Sequence, residues 1–256
     1  VAVASDFLLR LSRGSWLGEP SLELVSLTDA RAQEPIGRLS LVGLAETVVE
    51  CAAYSVIADP EIFTHDHYAY LVWNLVDPDT GGPLTRIEVV DILDPSAPTS
   101  LRQVDLPFGL GVSADWSEGT SHHELAVGKV ASALVLSPID GPPAASEVVD
   151  LSAPATPRHA GTYERPNAMA HGGLQVFGDT VVSWHMQPVN DQGSRVRFFL
   201  DRLYVGGAGG GLGGPADASL AAPVNVPGAV VDYRPTEQLA TTVDFRIDHV
   251  GGRDWE

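Results

Sequence analysis

The sequence predicts an all-β fold assembled from repeated antiparallel sheets, and three observations support this. Short runs rich in valine, leucine, tyrosine and phenylalanine are separated by 19 prolines and 26 glycines. This pattern is typical of strands joined by turns. Hydrophobic residues make up 44% of the 256-residue chain, enough to supply a core. The third observation is an internal repeat with a period of about 60 residues.

The repeat is clearest in two segments, IEVVDILDPSAP and SEVVDLSAPATP. In each, an apolar run ends at an aspartate, Asp91 or Asp150, and a proline follows seven residues later. The aspartate can accept hydrogen bonds from the N–H groups of a turn, and the proline prevents the first strand from continuing. A looser copy, SLELVSLTDA, has Ser26 in place of the aspartate. We therefore expect each repeat to contain several antiparallel strands.

Repeats of this length favour a β-propeller over an immunoglobulin-like sandwich. The predicted fold class is an all-β propeller segment of about four blades, each a four-stranded antiparallel sheet. It forms a single region over residues 1–256, with approximate blades at 1–45, 46–107, 108–166 and 167–245. One blade cannot bury both faces of its sheet, so neighbouring blades would form the core. The chain starts inside a strand-like pattern, and we expect a second polypeptide segment to complete a larger ring; the alternative is a self-sufficient ring of four blades.

The VVDILDPSAP and VVDLSAPATP motifs resemble the LVIVD repeat of bacterial surface propellers. The segment HDHYAYLVW, followed by such a repeat, is similar to secreted proteins with a C-terminal β-propeller domain. The resemblance covers roughly residues 20–200. It implies a secreted or cell-surface location, but it says little about chemistry because propellers carry many functions.

Composition limits the classes of partner. The net charge of −18 argues against nucleic acid and anionic membrane surfaces, whose phosphates would be repelled. No apolar run approaches the ~20 residues that a membrane-spanning helix needs. The one cysteine, Cys51, excludes an internal disulfide. The favoured function is an extracellular or cell-surface binding or scaffold protein with protein or glycan partners.

Four histidines form a candidate metal site: His65, His67, His123 and His171. An extended backbone would place His65 and His67 on one face of a strand. His67, His123 and His171 each precede the first apolar run of a predicted blade, and equivalent positions would approach the propeller axis. Neutral imidazoles bind divalent transition metals. The alternative function is therefore a metal-dependent enzyme with an axial histidine site, whereas histidines that only cap strand ends would have a structural role.

A glycine run follows the third repeat. Gly209, Gly211 and Gly214 match the spacing G-x-G-x-x-G, but no helix-forming segment follows them. A dinucleotide site needs that helix, so the glycine run is interpreted as a loop between strands. We expect the repeat to degrade after residue 200, and the sequence predicts no catalytic residue and no organic cofactor.

Overall fold

A computed structural model shows the chain as β-strands joined by turns. The residues that it describes are 2–4, 6–13, 20–28, 34–41, 60–76, 83–106, 125–138, 145–168, 170–189, 195–206, 214–227, 229–234 and 239–243. The chain divides into two compact units. The first consists of Val1–Val112 with Ala153–Arg158, and the second of Ser113–Ser152 with His159–Glu256.

The first unit contains two four-stranded antiparallel sheets, in which the strands lie side by side in chain order. Sheet 1 consists of β1 (Ala2–Ala4), β2 (Phe7–Arg13), β3 (Pro20–Ser26) and β4 (Gly37–Ser40). Sheet 2 consists of β5 (Glu61–His65), β6 (Tyr68–Val76), β7 (Pro83–Asp91) and β8 (Thr99–Asp105). Sequential antiparallel neighbours of this kind need only short connections.

The second unit repeats this plan. Sheet 3 consists of β9 (Leu125–Val130), β10 (Ala133–Pro138), β11 (Ala145–Asp150) and β12 (Arg158–Glu164). Sheet 4 consists of β13 (Ala170–Phe177), β14 (Thr180–Pro188), β15 (Val196–Tyr204), β16 (Ser219–Leu220) and β17 (Val224–Val226). Both β16 and β17 pair with β15. A separate hairpin follows, formed by β18 (Ala229–Arg234) and β19 (Leu239–Val243).

The prediction of an all-β fold is confirmed, because four antiparallel sheets of four or five strands are present. Each sheet lies within one of the four predicted repeat ranges, although the last range also holds the hairpin β18–β19. The arrangement of the sheets around a common axis stays a prediction. Among the described residues, no helix has the length and apolar character needed to cross a membrane.

Alternating side chains form a core within each unit. Each core cluster combines side chains from the two sheets of its unit. In the first unit the core cluster consists of Leu9, Leu22, Leu24, Leu41, Ile62, Ala69, Leu71, Trp73, Val90 and Ile92. In the second unit it consists of Val130, Ala133, Val135, Val148, Val181, Leu203 and Val205. Burying each large aliphatic side chain contributes about 1.5–3 kcal/mol.

The turn after the third strand of each sheet has a side-chain acceptor, as the repeat predicted. The carboxylate of Asp91 or Asp150 accepts a hydrogen bond from the N–H two residues later, at 2.8 Å in both sheets. Ser26 takes this place in sheet 1, and its hydroxyl accepts from the N–H of Thr28 at 3.3 Å. The predicted role of the aspartates is therefore confirmed, and Ser26 substitutes for them with a longer bond.

The prediction that the repeat degrades after residue 200 is wrong. In sheets 2, 3 and 4 the turn is closed by a backbone hydrogen bond between residues three apart. The N–H groups that donate belong to Ala97, Thr156 and Asp217, and each donates to the carbonyl three residues earlier. This register places Pro215 where the other two turns also have a proline. In the sequence, the glycine run at 207–213 is an insertion between β15 and this turn, and it lies outside the described residues. Added loop length costs little stability, so the insertion hides the repeat in the sequence without abolishing it.

The segment HDHYAYLVW does not form one strand. β5 ends at His65, β6 begins at Tyr68, and these two residues pair across a two-residue turn. Asp66 in that turn has a φ of 53°, a left-handed conformation that aspartate tolerates better than most residues. The prediction that His65 and His67 share one face of a strand is therefore wrong, because the chain reverses direction between them.

These turns also contact the preceding sheet. In the first unit a Cβ at Gly37, in β4, would overlap the carbonyl oxygen of Pro95 in the sheet 2 turn. The hydroxyl of Tyr70, in β6, donates to the carbonyl of Pro154 at 3.0 Å. In the second unit Tyr163 donates to the carbonyl of Ala218 at 2.9 Å. Within each unit, these turns thus add contacts between elements that are distant in sequence.

Replacing Tyr70 with phenylalanine tests this contact. The Tyr70 side chain is fully buried, so loss of its hydroxyl leaves the Pro154 carbonyl without that donor. The free energy of unfolding should therefore fall by about 1–2 kcal/mol. Equilibrium urea unfolding measures the change. Tyr204→Phe, at a partly exposed position, is the matched control. Equal losses in the two variants would contradict a specific role for the Tyr70 hydroxyl.

Candidate functional site

Each sheet buries one acidic side chain at the same place on its third strand. The four residues lie three positions before the last residue of β3, β7, β11 and β15. They are Glu23, Glu88, Glu147 and Asp201, with exposed fractions of 2%, 3%, 6% and 1%. An ionised carboxylate is costly to bury unless it is paired and hydrogen-bonded. The partners of each carboxylate therefore determine its chemistry.

The comparison of aspartates and prolines along the sequence missed these four residues. The signal is present in the aligned repeats, which read LELVS, IEVVD, SEVVD and LDRLY. The acidic residue is always the second letter, within an otherwise largely apolar strand. An acidic residue repeated at one register of a buried strand would have indicated a shared structural position.

The carboxylate in sheet 4 belongs to a buried network that joins sheets 3 and 4 within the second unit. Asp201 Oδ2 accepts hydrogen bonds from Arg165 Nε at 2.8 Å and from His185 Nδ1 at 2.7 Å. Arg165 Nη2 donates to the hydroxyls of Ser146 and Ser183, each at 2.9 Å. All five side chains are at least nine-tenths buried. The network thus balances a buried charge with a guanidinium and three polar neighbours.

His185 uses both of its ring nitrogens in this network. The side-chain N–H groups of Gln187 reach the Pro166 carbonyl at 3.0 Å and His185 Nε2 at 3.1 Å. Because an amide nitrogen can only donate, His185 Nε2 accepts, and the proton on Nδ1 is donated to Asp201. The imidazole also stacks on Phe199, with ring centroids 5.0 Å apart. This histidine therefore has no free nitrogen for a metal ion or a substrate proton.

Two arginines neutralise the carboxylate in sheet 1. Arg10 donates to Glu23 Oε2 at 2.8 Å and Arg38 donates to Oε1 at 2.5 Å. Both arginines are cross-strand neighbours of Glu23 in the strand pairing. Burial opposes ionisation of Glu23, but the hydrogen bonds and positive charge of the two arginines outweigh it. They hold the pKa of Glu23 below its ordinary value of 4.5.

We expect Glu23→Gln to destabilise the protein near neutral pH by about 1 kcal/mol, because the two arginines are partly exposed and solvent weakens the pairs. The pKa of Glu23 is lowered by folding, so its contribution is fully present above the ordinary value of 4.5 and is lost as the pH falls through the folded-state value. Unfolding midpoints of wild type and variant should therefore converge in acid. A difference that persists at low pH would contradict this assignment.

The carboxylate in sheet 3 has a hydroxyl and an imidazole as its partners. Glu147 Oε2 accepts from the Thr162 hydroxyl at 2.6 Å and contacts His159 Nε2 at 2.8 Å. The His159 side chain is 27% exposed, so solvent reaches one side of this pair.

The carboxylate in sheet 2 differs from the other three. Glu88 Oε1 accepts a hydrogen bond from the Ser100 hydroxyl at 2.8 Å. Glu88 Oε2 is buried and has no partner among the described residues. The nearby Arg86 is already held by Asp105 through two hydrogen bonds of 2.5 and 3.0 Å. Burial raises the pKa of Glu88 against the smaller effects of Ser100 and Arg86.

The histidines of the predicted metal site lie on different elements in the described part of the chain. His65 ends β5, and His67 lies in the turn with its ring centroid 4.1 Å from that of Tyr68. His171 lies on β13, where its backbone pairs with that of His185. His123 is outside the described residues.

The prediction that His67 and His171 occupy equivalent positions is wrong. The carbonyl of His67 accepts the N–H that follows β7, and in sheet 4 the carbonyl of Asp179 accepts the N–H that follows β15. Asp179 is therefore the counterpart of His67. The cause is that the apolar run after His67 is the second strand of its sheet, whereas His171 lies on a first strand. The described residues contain no group of three histidine, cysteine, aspartate or glutamate side chains that could hold a metal ion. Metal binding by the four predicted histidines stays a prediction.

Comparison with known proteins finds no family model that matches the chain and no curated protein with significant similarity.

Proposed function

We propose that the chain is a β-propeller segment of a secreted or cell-surface protein and that it acts as a noncatalytic binding module or scaffold. The observation that carries this proposal is that the polar side chains of the buried network in sheets 3 and 4 form hydrogen bonds inside the protein. His185, Asp201 and Arg165 are buried and bonded to each other, which suits a structural role. Recognition of partners would then depend on the exterior of the molecule.

The repeat organisation supports the propeller arrangement. Each sheet has the same third-strand register, and within each unit the turn of the later sheet contacts the earlier sheet, at Gly37 in the first unit and at Tyr163 in the second. Such nearest-neighbour dependence is typical of architectures in which no repeat is stable alone. The resemblance of VVDILDPSAP to the LVIVD repeat agrees with this arrangement and with the proposed location.

The charge of the chain indicates the chemistry of a partner. A net charge of −18 favours association with basic protein surfaces, and uncharged glycans are the second partner class. A further polypeptide segment that completes a ring is also part of the proposal. The hairpin β18–β19 lies against strands β13, β14 and β15 of sheet 4, and it is a two-stranded sheet to which further strands could be added.

Binding of the purified chain to arrays of basic proteins and of neutral glycans tests the function. We expect saturable binding, and for basic proteins the affinity should fall as ionic strength rises. Elemental analysis tests the alternative, a metal-dependent enzyme. A stoichiometric transition metal that is lost when His67 and His171 are replaced by alanine, together with catalytic turnover, would overturn the noncatalytic proposal in favour of a metal-dependent enzyme.

A further inference from the structure

Among the four equivalent buried carboxylates, Glu88 has the fewest hydrogen-bond and ion-pair partners to offset the cost of burying its charge. Glu23 has two arginines, Asp201 has an arginine and a histidine, and Glu147 has a histidine and a threonine hydroxyl. Glu88 has one serine hydroxyl, and its second oxygen has no partner in the part of the chain that the structure describes. Asp201 also has one oxygen without a partner, but its other oxygen carries the Arg165 ion pair.

The surroundings of Glu88 are mostly apolar. Its cross-strand neighbours are Leu71 in β6 and Gln103 in β8, and the core cluster on this face is made of leucines from sheet 1 with aliphatic and tryptophan side chains from sheet 2. Arg86, two residues before Glu88 on the same face of β7, is paired with Asp105. An ionised Glu88 therefore lies in a weakly polar environment without a cation bonded to it.

We propose that Glu88 is a proton-operated switch in the first unit, neutral in acid and destabilising to the fold once it ionises. Folding raises the pKa of Glu88 above its ordinary value of 4.5. Its favourable contribution is therefore fully present below that value and is lost as the pH rises through the folded-state value. This is the opposite of the behaviour expected for Glu23. The two carboxylates together would give the first unit a stability optimum in mild acid.

Ser100 gives the switch a route to solvent. Its residue is exposed on β8 while its hydroxyl lies 2.8 Å from Glu88 Oε1. A serine hydroxyl can donate to the carboxylate or accept from the protonated acid, so the same contact serves both states. Proton exchange can thus occur at the edge of the sheet without opening the core.

Thermal unfolding of the full chain with Glu88→Gln tests the switch, because glutamine imitates the neutral acid at every pH. At about pH 8 we expect the variant to unfold at least ~2 °C above wild type, with the difference closing below about pH 4.5. Glu147→Gln is the matched control at the equivalent position. It should unfold below wild type at about pH 8, because a neutral amide is a weaker acceptor than a carboxylate for the hydrogen bonds with Thr162 and His159.

An infrared measurement keeps the proposal testable if the glutamine variant folds poorly. At about pH 5 the wild-type spectrum should contain the C=O stretch of a buried protonated carboxyl group, shifted in Ser100→Ala because that variant loses the hydrogen bond to Glu88. Absence of that band would overturn the proposal. So would a glutamine variant that unfolds below wild type at about pH 8 while keeping the wild-type pH dependence.

Discussion

Replacing Arg165 with methionine is expected to destabilise the second unit by about 3–5 kcal/mol, because it leaves the Asp201 carboxylate buried without its guanidinium. The substitution also removes the donor shared by Ser146 and Ser183. Methionine has a similar length, so little packing volume is lost. Equilibrium urea unfolding followed by circular dichroism measures the change in the free energy of unfolding.

Two further variants identify the buried charge as the cause. Arg197→Met, at an exposed position of the same strand as Asp201, should change stability by less than about 0.5 kcal/mol. A double variant, Arg165→Met with Asp201→Asn, should recover a large part of the loss, because asparagine removes the unpaired charge while its Oδ1 can still accept from His185 Nδ1. A double variant as unstable as Arg165→Met alone would show that packing, and not the unpaired carboxylate, causes the loss.

Replacing Gly37 with alanine is expected to destabilise the first unit by about 3 kcal/mol, at the upper end of the cost of overpacking. The added Cβ would overlap the backbone carbonyl of Pro95 and touch the Pro98 ring. Neither is the end of a flexible side chain, so the turn itself must shift. The midpoint and amplitude of thermal unfolding of the first unit measure this loss.

Gly214→Ala is the matched control, since a Cβ there has no atom within 4 Å and the backbone φ is −85°. Alanine fits this conformation and reduces the freedom of the unfolded chain, so a neutral or slightly stabilising change of about 0.4–1 kcal/mol is expected. If Gly37→Ala is as well tolerated as Gly214→Ala, close contact between the turn and sheet 1 is not required for stability.

The strand and turn pattern of the sequence was sufficient to predict an all-β chain with repeated sheets. Asp91 and Asp150 form local contacts, because each carboxylate accepts a hydrogen bond from the N–H two residues later in the chain. Local contacts of this kind can be recognised from sequence alone. The reversal at Asp66 was missed because its left-handed backbone is uncommon outside glycine, and aspartate there also fits a strand end.

The candidate site was not predictable in the same way. The partners of Asp201 come from positions 16 and 36 residues away in sequence, on β14 and directly after β12. Their meeting depends on strand register and on the packing of one sheet against the next. Arg10 in β2 and Arg38 in β4 likewise contact Glu23 because both strands pair with β3. Histidines drew attention because imidazole is a common ligand, but residue type alone does not specify which strand of a sheet carries it.

The position of the turn at residues 153–158 has a consequence for dividing the chain. This turn belongs to the first unit, although 40 residues of the second unit, Ser113–Ser152, precede it. A fragment that ends at residue 112 therefore lacks the Pro154 carbonyl and leaves the buried Tyr70 hydroxyl without its acceptor. No single cleavage point yields both units intact, because the boundary between them is crossed more than once. Proteolysis and domain exchange at residue 112 would thus act on the stability of the first unit as well as on its connection to the second.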